Sequence, residues 1–256
     1  MTTQYMKVSR IANWTSTLDV KLPKSLDDAL AAYDALRYVE TGHEPVIDPT
    51  KLKAAGVAAE VERVAKELSV NAHLEEAQQR IAGQLESRII REAAAAVPSV
   101  LDQLTEKFDA QAARYVAAAV KLPLDLTSES VVETRDAEVL AALGEATEAA
   151  GFLEKVDNWL ESLGELPGYS TNPNYEPVLR VTAPDDYKPL YALREAHQAR
   201  HTADTLLQSV GPVYFAAARN GVEFKMLTPD ESTQLLQDLE DGKPLTAGQR
   251  FIGVRR

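Results

Sequence analysis

The sequence has no cysteine and few aromatic residues, and each absence limits what the protein can be. Without thiols, disulfide bridges, thiolate metal ligands and cysteine nucleophiles are excluded. The 256 residues include 2 Trp, 9 Tyr and 5 Phe although 45% are hydrophobic, and alanine supplies much of the difference. Because small side chains let helices approach closely, this composition favours helix-to-helix packing over a thick globular core. We therefore expect a mainly α fold, an elongated bundle of long antiparallel helices.

Long apolar runs are also missing. No segment reaches the ~18 consecutive apolar residues of a membrane-spanning helix, and the first residues lack the apolar stretch of a signal peptide. We therefore expect no membrane partner and a cytoplasmic location.

Signatures of catalysis are absent as well. The sequence contains no glycine-rich phosphate loop, nucleophile elbow or dinucleotide fingerprint. His197 and His201 stand four apart, as two metal ligands on a helix would, but no glutamate lies between them and Arg200 would repel a cation. We predict no catalytic residues, no metal ligands and no cofactor, and hence a protein that is not an enzyme.

Positive charge is scarce and unevenly placed. The formal net charge is −12, so direct nucleic-acid binding is not expected. Residues 125–165 contain eleven acidic residues against Arg135 and Lys155, whereas residues 1–24 carry a net +3 and the last seven residues hold three arginines and no acid. An acidic body with basic ends favours contacts between subunits or with another protein. The alternative is that the charged ends only keep the termini soluble.

Residues 48–121 organise the rest of the chain. Asp48 and Pro49 form a helix start, and apolar residues then recur at the three- and four-residue steps of one helix face. They are Leu52, Ala55, Ala58, Val61, Val64, Leu68, Leu74, Ala77, Ile81, Leu85, Ile89, Ala93, Val97, Leu101, Leu104, Phe108, Ala112, Tyr115 and Ala119. A helix this long needs partners along its length. We predict that this apolar seam is a lengthwise contact surface.

Two irregularities interrupt the seam. The longer step between Leu68 and Leu74 is typical of a stutter in a heptad pattern or of a change of packing partner. Pro98 removes an amide and disfavours helical geometry at Val97, which predicts two helices of about 48 and 23 residues, with one kinked helix as the alternative.

The remaining segments give a division into five parts. These are an N-terminal arm at 1–24 with weak β alternation, a long-helix bundle at 25–164, a linker at 165–184, a smaller helical domain at 185–241 and a basic, β-prone tail at 242–256. Short strands are predicted near the termini and at 178–182 and 222–227. Residues 213–227 form either a hairpin or a helix end followed by a strand, and three consecutive alanines favour the helix.

The two ends supply the candidate partner-binding residues. Trp14 is either the buried anchor of the arm or a side chain presented to a partner. The C-terminal tail can add a strand to a neighbouring sheet or enter a groove. Its candidate contact residues are Arg250, Phe251, Ile252, Arg255 and Arg256.

Together, these features resemble tailed-bacteriophage virion proteins of the head-completion, adaptor or scaffolding type, in which acidic helical bodies carry extended termini that dock on neighbours. The resemblance is one of general character and transfers no residue roles. It implies a non-enzymatic structural or assembly protein, cytoplasmic or in the virion, that binds itself as a homo-oligomer or another structural protein. The alternative is a cytoplasmic helical module, a regulator or chaperone, that binds one protein partner.

Overall fold

The computed structural model describes residues 3–39, 45, 56–134, 136–169 and 176–242. Over these residues the chain is mainly α, as predicted, with ten α-helices and one two-stranded sheet. Two compact units are present, Met1–Asn13 with Leu22–Ala96, and Trp14–Lys21 with Val97–Arg256. The second unit includes the described residues of the predicted linker at 165–184. The predicted helix start at Asp48 falls outside the described residues.

The helices are α1 Thr3–Ala12, α2 Trp14–Leu18, α3 Lys24–Leu36, α4 Val57–Ala119, α5 Ser128–Thr134, α6 Ala137–Leu163, α7 Tyr187–Ala199, α8 Thr205–Val210, α9 Pro212–Arg219 and α10 Pro229–Asp241. Strands β1 (Thr182–Ala183) and β2 (Glu223–Phe224) pair antiparallel, with Thr182 opposite Phe224. The predicted strand at 178–182 is wrong over most of its length, because Pro177–Leu179 form a 3₁₀ turn.

The N-terminal arm is helical, which corrects the prediction of an extended segment. Val8 and Ile11 stand three apart on α1 and are buried, and Trp14 and Leu18 stand four apart on α2 and are buried. These steps match a helix rather than a strand, in which alternate residues share a face. The helical spacing of the large apolar residues therefore outweighs the weak two-residue alternation.

Helix α4 runs through Pro98 without ending, so the prediction of two separate helices is wrong and the single-helix alternative is correct. Proline removes one hydrogen bond and costs about 3 kcal/mol in a helix interior. Val97 and Val100 beside it are fully buried, whereas Pro98 itself faces solvent. Burying several apolar side chains at roughly 1.5–3 kcal/mol each outweighs that cost.

In the first unit, α3 lies antiparallel to residues 78–92 of α4. The Ser25 hydroxyl donates to Glu92 at 2.7 Å, and the Tyr33 hydroxyl donates to Glu86 at 2.8 Å. Further along, the Gln78 amide donates to the Leu36 carbonyl at 3.0 Å. Glu86 is only 8% exposed, so the tyrosine hydroxyl satisfies a carboxylate that burial would otherwise destabilise.

In the second unit, α6 lies antiparallel to residues 97–119 of α4. Arg114 contacts Glu148 at 2.7 Å, while the Lys107 ammonium lies 5.3 Å from the centre of the Phe152 ring. The Tyr115 hydroxyl donates to the Val210 carbonyl at 2.8 Å, which ties α4 to the end of α8.

The C-terminal helices of the second unit surround their own apolar core. Its buried residues are Val178, Leu179, Leu190, Leu193, Ala217, Val222, Leu236 and Leu239. Residues 213–227 form a helix end followed by a strand, as favoured from the alanines, and Gly221 adopts a positive φ of 66° after the last turn. Helix α10 begins with a capping box at Thr228 and Glu231, with both reciprocal hydrogen bonds present.

Candidate protein interaction surface

Trp14 is buried within the chain. Its side chain is 4% exposed, and its ring meets that of Trp159 edge-on at a centroid distance of 5.8 Å. These contacts fit the buried-anchor alternative for Trp14. Two fused aromatic ring systems in this geometry stabilise the packing of α2 on α6. The candidate residues Arg250, Phe251, Ile252, Arg255 and Arg256 lie outside the described residues.

The N-terminal half of α4 exposes large apolar side chains to solvent. Val61 is 62% exposed, Leu68 is 51% exposed and Ile81 is 48% exposed. Further along the same helix, Ile89 and Val97 are fully buried. The predicted seam is thus divided into a C-terminal part that packs within the chain and an N-terminal part whose side chains stay accessible.

The accessible residues form two stripes, each with steps of four, three and four residues. Seam 1 consists of Val57, Val61, Val64 and Leu68, and seam 2 consists of Val70, Leu74, Ala77 and Ile81. At about 100° per residue, the centre lines of the two seams lie about 140° apart around the helix. Such spacing is that of the core positions of a coiled coil. Each seam can therefore receive the side chains of a neighbouring helix.

Sequence reasoning found most of these positions and missed two. Val57 and Val70 are 44% and 50% exposed and lie one on each seam, but a single face drawn along the helix omits both. The signal was present in the repeated four-three-four spacing. It was missed because the step at Leu68 was interpreted as a slip within one seam, whereas it marks the change from one seam to the other.

Charged side chains on the same helix pair along its surface. Arg63 contacts Glu60 at 2.6 Å and Glu67 at 2.7 Å, and Arg80 contacts Glu76 at 2.6 Å. Hydrogen bonds from Arg63 hold the pKa of Glu60 below its usual value. Pairs of this kind contribute only a few tenths of a kcal/mol to a helix. They add modestly to the stability of the helix between residues 57 and 81.

A second polar group, the Arg180 cluster, lies in the second unit and consists of Asp157, Glu161, Arg180 and Tyr214. The Arg180 guanidinium binds both oxygens of Asp157, with Nη2 at 3.1 Å from Oδ2, and its Nη1 lies 3.4 Å from Glu161. The Tyr214 hydroxyl donates to Asp157 at 3.3 Å. The pKa of Tyr214 is raised, mainly by burial and then by the negative charge of Asp157. The cluster fastens the segment before β1 to α6 and α9.

His197 on α7 lies close to the same charged groups. Partial burial, followed by the positive charges of Arg200 and Arg180, lowers the pKa of His197, while Glu176 and Asp157 act in the opposite direction. Glu176 itself pairs with Arg194 at 2.7 Å. The imidazole is therefore held towards its neutral form.

The described residues form neither a metal site nor a membrane-spanning helix. Within the described ranges, no group of three or more His, Asp or Glu side chains is placed to hold a metal ion. None of the described helices combines the length and apolar character needed to cross a bilayer. In comparisons with known proteins, no family model, no curated protein and no solved structure matches this chain.

Proposed function

We propose that this chain is a non-enzymatic structural subunit that associates with copies of itself, or with another structural protein, through the apolar seams of α4. The observation that supports this is the set of six large apolar side chains between Val57 and Ile81, each 43–62% exposed, which lie three on each seam. Single exposed apolar residues are ordinary, but a contiguous set is uncommon on a monomer and marks interaction surfaces.

The energetics favour a contact that includes more than the seams. Burying each of these half-exposed side chains contributes roughly 1 kcal/mol, because full burial contributes about 1.5–3 kcal/mol. Six such residues supply several kcal/mol, close to the lower limit of about 4 kcal/mol lost in translational and rotational freedom on association. Seam contacts alone are therefore weak. The basic C-terminal residues, with Arg250, Arg255 and Arg256, provide additional charge for a contact with the acidic surface of a neighbour.

A place in a tailed-phage virion is the finer form of this proposal, with the chain in the cytoplasm before assembly. Its support is the general resemblance of an acidic helical body with basic ends. The alternative is a regulator or chaperone that binds one protein partner. Both use the same surface, but only the first requires copies of the chain to associate with one another or with a shell component.

Paired surface substitutions test the proposal. Leu68→Ser with Leu74→Ser removes one large side chain from each seam, and we expect self-association to weaken by about tenfold or more, because each exposed contact contributes roughly 1 kcal/mol. Sedimentation velocity over a range of protein concentrations measures the effect, and circular dichroism checks that helix content is retained.

The matched control changes exposed leucines elsewhere. Leu124 and Leu140 are 82% and 56% exposed and lie on neither seam, so Leu124→Ser with Leu140→Ser should leave the sedimentation profile as in the unmodified chain. A monomer that binds one protein ligand through the seams would favour the alternative. Equal effects of the two double variants would refute a specific role for α4.

A further inference from the structure

The two seams of α4 differ in the charges that lie along them. Within about 50° of the centre line of seam 1, residues 57–88 include one exposed acidic residue, Glu75, and no basic residue, because Glu86 on the same line is buried against Tyr33 of α3. Within the same angle of seam 2 they include Arg63, Lys66 and Arg88 against Glu67. Seam 1 is thus an apolar stripe with one exposed acidic residue, and seam 2 is an apolar stripe that is mostly basic.

This asymmetry bears on what covers each seam. Surfaces of opposite charge attract each other, whereas the juxtaposition of like charges disfavours a contact. Seam 1 against seam 1 would offer no basic partner for Glu75, and seam 2 against seam 2 would bring basic stripes together. Seam 1 against seam 2 joins opposite charges, and the identical four-three-four spacing lets all four apolar positions meet.

We propose that seam 1 of one copy is covered by seam 2 of a second copy, with the two α4 helices parallel. This inference rests on the proposed function and names the partner and the register of its contact. Val57 lies beside Val70 of the next copy, Val61 beside Leu74 and Leu68 beside Ile81. The copies are offset by about 20 Å along the helix, at roughly 1.5 Å per residue.

The direction of the helices follows from the charged residues. In the parallel register, Glu75 of one copy faces Arg88 of the next, and neither forms a salt bridge with another residue in the described part of the chain. In an antiparallel register, Glu75 would instead face Arg63. The guanidinium of Arg63 already binds Glu60 and Glu67 of its own helix. The parallel arrangement therefore forms a new ion pair without breaking an existing one.

The positions of the seams exclude a closed two-fold dimer of this kind. With centre lines about 140° apart, a straight helix cannot present both seams to the same neighbour. Each copy therefore offers seam 1 to one neighbour and seam 2 to another. A head-to-tail contact of this kind produces rings or open chains. The assembly should grow beyond a dimer as the protein concentration rises.

Disulfide trapping tests the pairing directly, because the natural chain has no cysteine. A Val61→Cys variant is mixed with a Leu74→Cys variant that carries a size tag, and the mixture is oxidised and separated without reductant. Cysteines at facing core positions come within the ~4.4–6.8 Å between Cα atoms that a disulfide requires. We expect a cross-linked species of mixed size in the mixture and none from either variant alone.

Three further variants test the register. Ala77→Cys replaces Leu74→Cys in a second mixture. Residue 77 would face residue 61 only if the helices were antiparallel, so we expect little cross-linking there.

Arg88→Glu should weaken self-association by about tenfold, which corresponds to ~1.4 kcal/mol. The double variant Glu75→Arg with Arg88→Glu should restore it, because the ion pair is re-formed with its charges exchanged.

The outcomes separate this inference from the proposed function. A wild-type chain that stays monomeric at every concentration contradicts both. An oligomer in which Val61→Cys cross-links to itself, or to Ala77→Cys rather than Leu74→Cys, preserves the assembly role and overturns the pairing proposed here. Cross-linking of Val61→Cys to a Leu124→Cys control to the same extent as to Leu74→Cys would also overturn it, because residue 124 lies on neither seam.

Discussion

At the scale of single residues, the Arg180 cluster shows how a buried charge is kept. The side chains of Arg180 and Asp157 are 10% and 17% exposed, so each depends on the other to offset its loss of hydration. Glu161 also contacts Arg180 but is 62% exposed and remains solvated. The two carboxylates therefore contribute very differently to stability although they bind the same guanidinium.

Asp157→Ala is expected to lower the free energy of unfolding by about 3 kcal/mol, since it leaves the Arg180 charge buried without its main partner. Glu161→Ala, the matched control, should lower it by less than about 1 kcal/mol, as for other exposed pairs. Urea denaturation followed by circular dichroism measures both. Equal losses of unfolding free energy would show that the salt bridge with Asp157 stabilises the fold no more than the salt bridge with Glu161 does.

His197 gives a prediction for pH. Because burial and the nearby arginines lower its folded pKa, the unfolded chain takes up a proton that the folded chain does not, once the pH falls below about 6.5. The contribution of the neutral imidazole to stability is present above that pH and is lost as the pH falls towards the folded pKa. His197→Gln should therefore show a smaller fall in unfolding free energy between about pH 7.5 and about pH 5.5 than the unmodified chain. An identical fall in both proteins would contradict this account.

At the scale of secondary-structure elements, the sequence predicts helices well where capping residues and apolar spacing agree. Helices α7 and α10 begin directly after Asp186 and Thr228, since each cap side chain bonds a free amide of the first turn. The segment 178–182 was mispredicted because its β-prone residues pack into a core that a 3₁₀ turn fills. Local preference is weak beside such packing.

Pro98 illustrates the same competition within α4. Its local effect favours a break, but the fully buried side chains of Val97 and Val100 hold the helix together across it. No local pattern reveals this burial. The same limit applies to the seams, because their spacing is visible in the sequence but the exposure of their side chains is not.

Pro98→Ala is expected to raise the free energy of unfolding by about 1–3 kcal/mol, because alanine restores the missing amide and has a higher helix propensity. Position 98 is exposed, so the change should not disturb the core. Ser99→Ala, an exposed neighbour, should change stability by no more than about 0.5 kcal/mol. Thermal unfolding monitored at 222 nm compares the three proteins. A loss of stability in Pro98→Ala would show that the proline is required for the packing of α4.

At the scale of the whole molecule, the proposed function depends on the apolar surface of α4 that the rest of the chain leaves exposed. A long helix rich in alanine and valine packs closely where the chain supplies a partner, as at Ile89 and Val97, and stays accessible where it does not. Two seams with identical spacing and unlike charge then point to copies of the chain as those partners. With a net charge of −12, copies of the chain repel one another overall, so the proposed contact depends on the places where opposite charges meet.

The most direct test of the central claim is whether the seams become covered when copies associate. A spin label attached to Leu68→Cys reports the mobility of a seam residue, and the same label on Leu124→Cys reports an exposed leucine outside both seams. As the protein concentration rises, we predict that the label at 68 becomes immobilised while the label at 124 keeps its mobility. A label at 68 that stays as mobile as the label at 124, in protein that has demonstrably associated, would contradict the account.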